Sequence, residues 1–319
     1  MKTRTVKRSL IAALAVLGLT GYGADRRGAA APPTSAANQE SEAQKAKASL
    51  PTDRDDEPEV GPVARAASLL NLSVNDAKGT TLGTVSDVAL DLNESFVGFL
   101  VIELQGSPSS AKRVALPVEA VQLQPSPTHL TIEIAAARLR EAPALADQNL
   151  AKVTRPWVAD SFAFFGQQPY WEKRAERIAK TSATSDKASP PRKSTASSRF
   201  ASLKALKHVA IINAANKPLG HIDDFAVAVE TGLIAYAAMA VDGEPEGRMY
   251  QVPLSALVVR PGEKDWILDL PLDVLQGTPS FHGTRWPEKV DRTWVEYVHV
   301  RYGRSPFDGV RSNLKSTEN

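Results

Sequence analysis

The chain has 319 residues, enough for two modest domains, and sets 38 Lys and Arg against 36 Asp and Glu. So even a balance gives no global field that would draw it to nucleic acid or anionic lipid. It holds no Cys, which excludes disulfides, thiolate nucleophiles and Cys-ligated zinc or iron–sulfur centres.

The N-terminus reads as an export signal. Lys2, Arg4, Lys7 and Arg8 form a basic start, Leu10 to Leu19 is apolar, and Gly21 and Gly23 place small residues before a cleavage at Ala24. The apolar run is about half of the ~20 residues that a transmembrane helix needs. No other stretch is apolar enough to span a bilayer, so no transmembrane segment is expected. Leu19-Thr20-Gly21-Tyr22 resembles a bacterial lipoprotein signal with Tyr22 where the lipidated Cys would stand. Without that thiol no lipid can be attached, and the expectation is a periplasmic or exported protein released from residues 1–23. Residues 24–65 are rich in Ala, Ser, Pro and charge, with few large apolar side chains. Such a segment cannot bury enough surface to offset its ordering entropy, so it is expected to be a disordered tether.

From Ala66 the chain reads as short strands. Leu70, Leu72 and Val74 alternate with polar residues, as a half-buried strand requires. Asn75 to Gly79 is a turn. In the next strand Val88, Leu90 and Leu92 share one face, with Asp87, Ala89 and Asp91 on the other. After a tight turn at Asn93-Glu94-Ser95 comes Phe96 to Leu104, an apolar run that suggests a strand covered on both faces. Arg113 to Leu116 is a strand ended by Pro117, which cannot donate to a ladder. Leu130 to Ile134 is the last strand, and Ala135 to Glu141 is a short helix that stops before Pro143.

The same order then comes back. Thr81-Leu82-Gly83-Thr84-Val85-Ser86-Asp87-Val88 returns as Pro218-Leu219-Gly220-His221-Ile222-Asp223-Asp224-Phe225, at a spacing of 219 − 82 = 137 residues. A fixed period must be dealt with before any local reading. Gly79 aligns with Asn216, and these two residue types most readily take a left-handed backbone, so both segments are expected to turn there. Ala115 to Val121 aligns with Gln251 to Leu257, and Leu130 to Ile134 with Trp266 to Leu270. Trp157, Phe165-Gly166 and Pro169 return as Trp294, Tyr302-Gly303 and Pro306. The sequence therefore predicts an all-β protein of two tandem small β-barrels, each followed by a short helix and an aromatic-rich tail. Closure into a barrel would also remove exposed edge strands. The expected boundaries are 66–171 for the first unit with its tail, 172–202 for a flexible basic linker, and 203–310 for the second unit with its tail.

The order strand-turn-strand with Leu-Gly-x-Val-x-Asp-Val, an apolar hairpin partner, a Val/Leu-Pro strand end and a Leu-to-Pro finish, Leu139 and Pro143 matching Leu275 and Pro279, resembles the PRC-barrel. That family takes its name from the photosynthetic reaction centre, whose H subunit carries the domain, and a relative forms the C-terminal half of a ribosome-maturation factor. The resemblance covers each unit up to about Pro143 and Pro279, and the second departs from it at Asn216 and His221. It implies a compact β-barrel used as an adaptor rather than an active site.

Candidate chemistry is sparse. His221 and Asp223 share a strand face and could ligate a metal, but the first unit has Thr84 and Ser86 there. Gly83 and Asp87, returning as Gly220 and Asp224, read as structural, the carboxylates accepting backbone or hydroxyl hydrogen bonds. No Ser-His-Asp set, carboxylate pair or phosphate loop stands out, so neither an enzyme nor a cofactor is expected. The tails hold most of the aromatic residues. The favoured reading is that each tail folds back and its aromatics seal one mouth of its barrel; on the sharper reading Trp157, Phe165, Tyr170, Trp294, Tyr302 and Arg301 form an exposed partner-binding set. The expected function is a non-catalytic binding or assembly module of the bacterial envelope with protein partners, made bivalent by duplication. An RNA- or ribosome-associated protein and a metal-dependent enzyme are the less favoured alternatives.

Overall fold

A computed structural model of the chain describes residues 61–106, 112–147, 149–182, 200–259 and 264–304. The expected export signal, the tether up to residue 60 and the linker stretch 183–199 lie outside the described residues. The first half runs β1 (Val63–Arg65), a 3-10 turn (Ala66–Leu69), β2 (Ser73–Asp76), β3 (Thr81–Asp91), β4 (Phe96–Leu104), β5 (Arg113–Leu116) and β6 (Leu130–Ile132). Three helices follow: α1 (Ala136–Glu141), α2 (Arg155–Phe164) and α3 (Tyr170–Ser182). The second half has β7 (Phe200–Ser202), α4 (Leu203–Leu206), β8 (Ala210–Ile212), β9 (Pro218–Ala228), β10 (Ile234–Val241) and β11 (Arg248–Val252). It closes with β12 (Leu257–Val259), β13 (Trp266–Leu268), α5 (Leu272–Gln276), β14 (Ser280–His282) and α6 (Arg292–Arg301).

The described residues are mostly β, with two sheets and a few short helices. The first sheet has the order β5-β4-β3-β2-β6, and the second β12-β13-β8-β9-β10-β11-β14. Each is centred on a long antiparallel hairpin, β3–β4 or β9–β10, and each has one parallel pairing, β2 with β6 or β8 with β13. The order β5-β4-β3-β2-β6 thus reappears as β11-β10-β9-β8-β13. Left-handed residues match as well: Gly79 has φ 81° and Asn216 has φ 58°, as the sequence predicts.

Three local expectations are corrected. Leu70 to Val74 is not one strand, because Asn71 takes a left-handed backbone (φ 64°) that ends the extended run, and only Ser73–Asp76 pairs. The tether does not reach residue 65, since Val63–Arg65 is a strand. The stretch from 172 is not all linker either: α3 continues to Ser182, and Phe200–Ser202 is a strand.

These two short strands do not join the sheets nearest to them in sequence. β1 pairs antiparallel with β9 of the second sheet, and β7 pairs antiparallel with β3 of the first. The turn after each strand crosses back, so that β2 and β8 join their own sheets.

The long strands are buried on both faces, as their continuous apolar runs predict. Val88, Leu90, Leu92, Leu100 and Ile102 share one cluster with Phe225, Val227, Ala237 and Met239. Ala89, Phe96, Phe99 and Val101 face a second cluster with Ala226, Ala228, Ala235 and Tyr236. The tail helices roof that second cluster with Val158, Phe162 and Val295. Apolar burial contributes roughly 25 cal/mol per Å², so the tails add to stability as well as the sheets.

Candidate functional site

The Leu-Gly motif is explained by backbone crowding. Gly83 pairs with Leu104 at the end of the β3–β4 ladder, where a Cβ would run into the carbonyl oxygen of Glu103. Gly220 faces Val241, where a Cβ would run into the carbonyl oxygen of Ala240. Its φ of 151° also disfavours any side chain. Both glycines permit close approach of two strands, and neither presents chemistry.

The two carboxylates hold the crossing strands. Asp224 is fully buried; its Oδ1 accepts the N–H of Ala67 at 3.0 Å and of Phe225 at 2.8 Å, and its Oδ2 accepts Arg65 Nε at 3.0 Å. The Arg65 guanidinium also lies 4.7 Å over the Trp286 ring and donates to Asp223 at 3.3 Å. Burial raises the Asp224 carboxyl above its ordinary range, against the opposing pull of those hydrogen bonds. Asp87 does the same for the other crossing strand. It accepts the hydroxyl of Ser202 and the N–H of Lys204, the latter at 3.4 Å. The sequence suggests hydrogen-bond acceptors here; that their donors come from the opposite half is visible only in three dimensions.

The tail aromatics divide. Tyr170 and Tyr302 are buried, in line with the reading in which the tail aromatics seal the barrels and against a partner-facing role for these two. The Tyr170 hydroxyl donates to Asp91 Oδ2 at 2.6 Å, and that of Tyr302 lies 3.1 Å from Thr278 Oγ1. Trp157 meets Phe99 edge-on at 6.4 Å, and Trp294 lies 5.2 Å from the Tyr236 ring. Both are half-buried, as is Phe165, which stands T-shaped to Phe164. Arg301 is exposed, with Nη2 donating to Gly277 O at 3.2 Å.

Around Tyr170 lies a polar network that sequence reasoning missed. Asp91 is fully buried, with Arg155 3.7 Å away; Arg155 in turn bonds Glu94 at 2.6 Å, and Arg174 bonds Glu94 at 3.3 Å. Asp91 Oδ1 accepts the N–H of Asn93 at 3.0 Å and so closes the β3–β4 turn. Desolvation raises the Asp91 carboxyl, and burial holds the Tyr170 hydroxyl protonated far above its ordinary range. The alternation of Asp91 with Leu90 and Leu92 gives no sign of it, because the donors lie in helices some 60 to 80 residues further on. The network pins α2 and α3 to the hairpin.

His221 lies 5.6 Å from the His208 ring, and Asp223 is engaged by Arg65. Among the described residues no three metal-ligating side chains come together. An open groove of about 460 Å³ is lined by Asn71, Thr84, Ser86, Glu103, Gln105 and Lys204, with one acid and one amine.

The fold, the crowded Leu-Gly glycines and the strand-capping carboxylate agree with a match to a family model, that of the PRC-barrel domain, over residues 62–132. The chain carries a PRC-barrel domain. The span of this domain runs from β1 to the end of β6, so it includes the strand that pairs with the second sheet. No curated protein matches the chain.

Proposed function

We propose that the protein is an exported, non-catalytic binding module of the bacterial envelope, in which residues from about 200 form a second PRC-barrel-like unit related to the reaction-centre H-subunit family. The observation that carries this reading is where the polar and apolar side chains are spent. Both recurring acids, Asp87 and Asp224, are committed to holding strands, and Tyr170 and Tyr302 of the tails are committed to the interior. Large apolar side chains are left at the surface on α5 and α6, where Leu272, Val274 and Val300 are exposed. Arg301 ties the end of α6 to the end of α5 through Gly277 O, so exposed apolar side chains and an exposed Arg stand on two joined helices, and Arg is enriched at protein-binding surfaces. Such a surface suits a protein partner better than RNA, whose recognition needs a basic face.

The reading is tested in two steps. Cell fractionation should find the mature chain outside the cytoplasm; a cytoplasmic protein with an intact N-terminus ends the envelope assignment. Crosslinking in intact cells should then capture partner proteins with the wild type and lose them with Val274→Asp/Val300→Asp. Equal capture by both would remove α5–α6 as the binding surface.

A further inference from the structure

Each sheet is completed by the other half, and the pairings are reciprocal. β1 aligns Val63, Ala64 and Arg65 with Ala228, Val227 and Ala226; β7 aligns Phe200, Ala201 and Ser202 with Asp91, Leu90 and Ala89. A shift of one 137-residue period exchanges the two sets, Val63 taking the place of Phe200 and Asp91 that of Ala228. The capping bonds obey the same rule: Asp224 takes the N–H of Ala67, and Asp87 that of Lys204. So does the direct contact between the hairpins. Val97 N–H donates to Gly232 O at 2.8 Å and Ile234 N–H to Ser95 O at 2.7 Å, with Phe96 bridged to Leu233. A contact in which each residue meets its own counterpart, flanked by two interchangeable bonds, is what a twofold axis between identical subunits produces.

We propose that this chain is a strand-exchanged dimer built into one polypeptide. The partner that each half fits is the other half, and neither sheet is complete without the arm, β1 with its 3-10 turn or β7 with α4, that crosses to it. This goes beyond a pair of tethered modules: the two halves are one body, and any partner meets their surfaces at a fixed separation.

The exchange is keyed. The Phe200 ring covers Gly98, where a Cβ would lie 2.7 Å from the ring. At the counterpart positions stand a smaller arm residue, Val63, and a residue that does have a Cβ, Ala235. The large arm residue is matched to the bare backbone and the small one to the methyl. Were β7 to pair within its own half, the Phe200 ring would meet the Ala235 methyl. Were β1 to do so, Val63 would leave the space over Gly98 unfilled. Both errors are the overpacking and cavity defects that close-packed interiors penalise.

The test uses the full chain with a protease site placed within residues 183–199, cut after folding. The two fragments are expected to stay together one to one, to sediment as a particle of the uncut mass, and to melt at a temperature that rises with protein concentration. Fragments that separate into two folded monomers overturn the proposal. After unfolding and remixing, native mass spectrometry should show the heterodimer in large excess. In Gly98→Ala/Phe200→Val, which gives the first edge the residues of the second, a population of dimers of like fragments should appear. Random association of the wild-type fragments would overturn the keying.

Discussion

At the level of single residues, identity is set by what the neighbouring backbone leaves room for. Gly220→Ala places a methyl against the Ala240 carbonyl in a backbone that disfavours side chains, and relief would require parting β9 from β10. A loss of about 3 kcal/mol or more is expected in urea denaturation, at the upper end of overpacking effects. Asp224 makes a prediction about pH. Burial holds its carboxyl above the ordinary carboxylate range, so the folded chain binds that proton more tightly than the unfolded chain does. The sign follows from linkage: its stabilising contribution is complete below the unfolded pKa and is lost as pH rises through the raised folded value. Asp224→Asn removes the titration while keeping an acceptor for Ala67. Denaturation midpoints measured from pH 4 to 7 should fall less steeply in this variant than in the wild type. Some slope should remain, because Asp91 is raised for the same reason. An unchanged slope would mean that Asp224 does not titrate in that range.

At the level of elements, stability is shared across the chain rather than held locally. β1 is three residues long and has little intrinsic tendency to form a strand; it exists because β9 offers an edge and Asp224 offers a cap. Deleting residues 62–65 should therefore be felt far away in sequence. Amide exchange is expected to quicken at Ala226 to Ala228, while β2 and the N-terminal part of β3 keep their protection, since their pairings lie within the first sheet. Faster exchange confined to the first sheet would contradict the crossing. The helices act the same way: α2 is held by Ser161 Oγ donating to Ala115 O at 3.1 Å and by Arg155 bonded to Glu94, more than by its own propensities.

For the whole molecule, the consequence is cooperativity. Two domains on a string would melt separately, each with its own midpoint. Here one apolar cluster contains residues of both hairpins, and a second joins the outer faces of both sheets to the tail helices. Calorimetry of the full chain should show a single transition whose calorimetric and van't Hoff enthalpies agree. Two resolved peaks would show that the halves fold independently and that the shared clusters contribute little.

By itself the sequence determined whatever depends on local spacing: the mostly β content, the long hairpins, strands ending at Pro117 and Pro253, and left-handed turns at Gly79 and Asn216. These could be read because alternation, turn chemistry and proline act within a few residues. It also singled out Asp87 and Asp224 as acceptors, but not their donors. Only the tertiary structure decided that the short strands cross between sheets, that Asp91 lies buried among Tyr170, Arg155 and Glu94, and that two of the tail tyrosines point inward. The physical reason is that a backbone donor or an apolar ring is satisfied equally well by any partner of the right shape. Which partner wins is set by packing between segments distant in sequence, and one segment read alone holds no record of it.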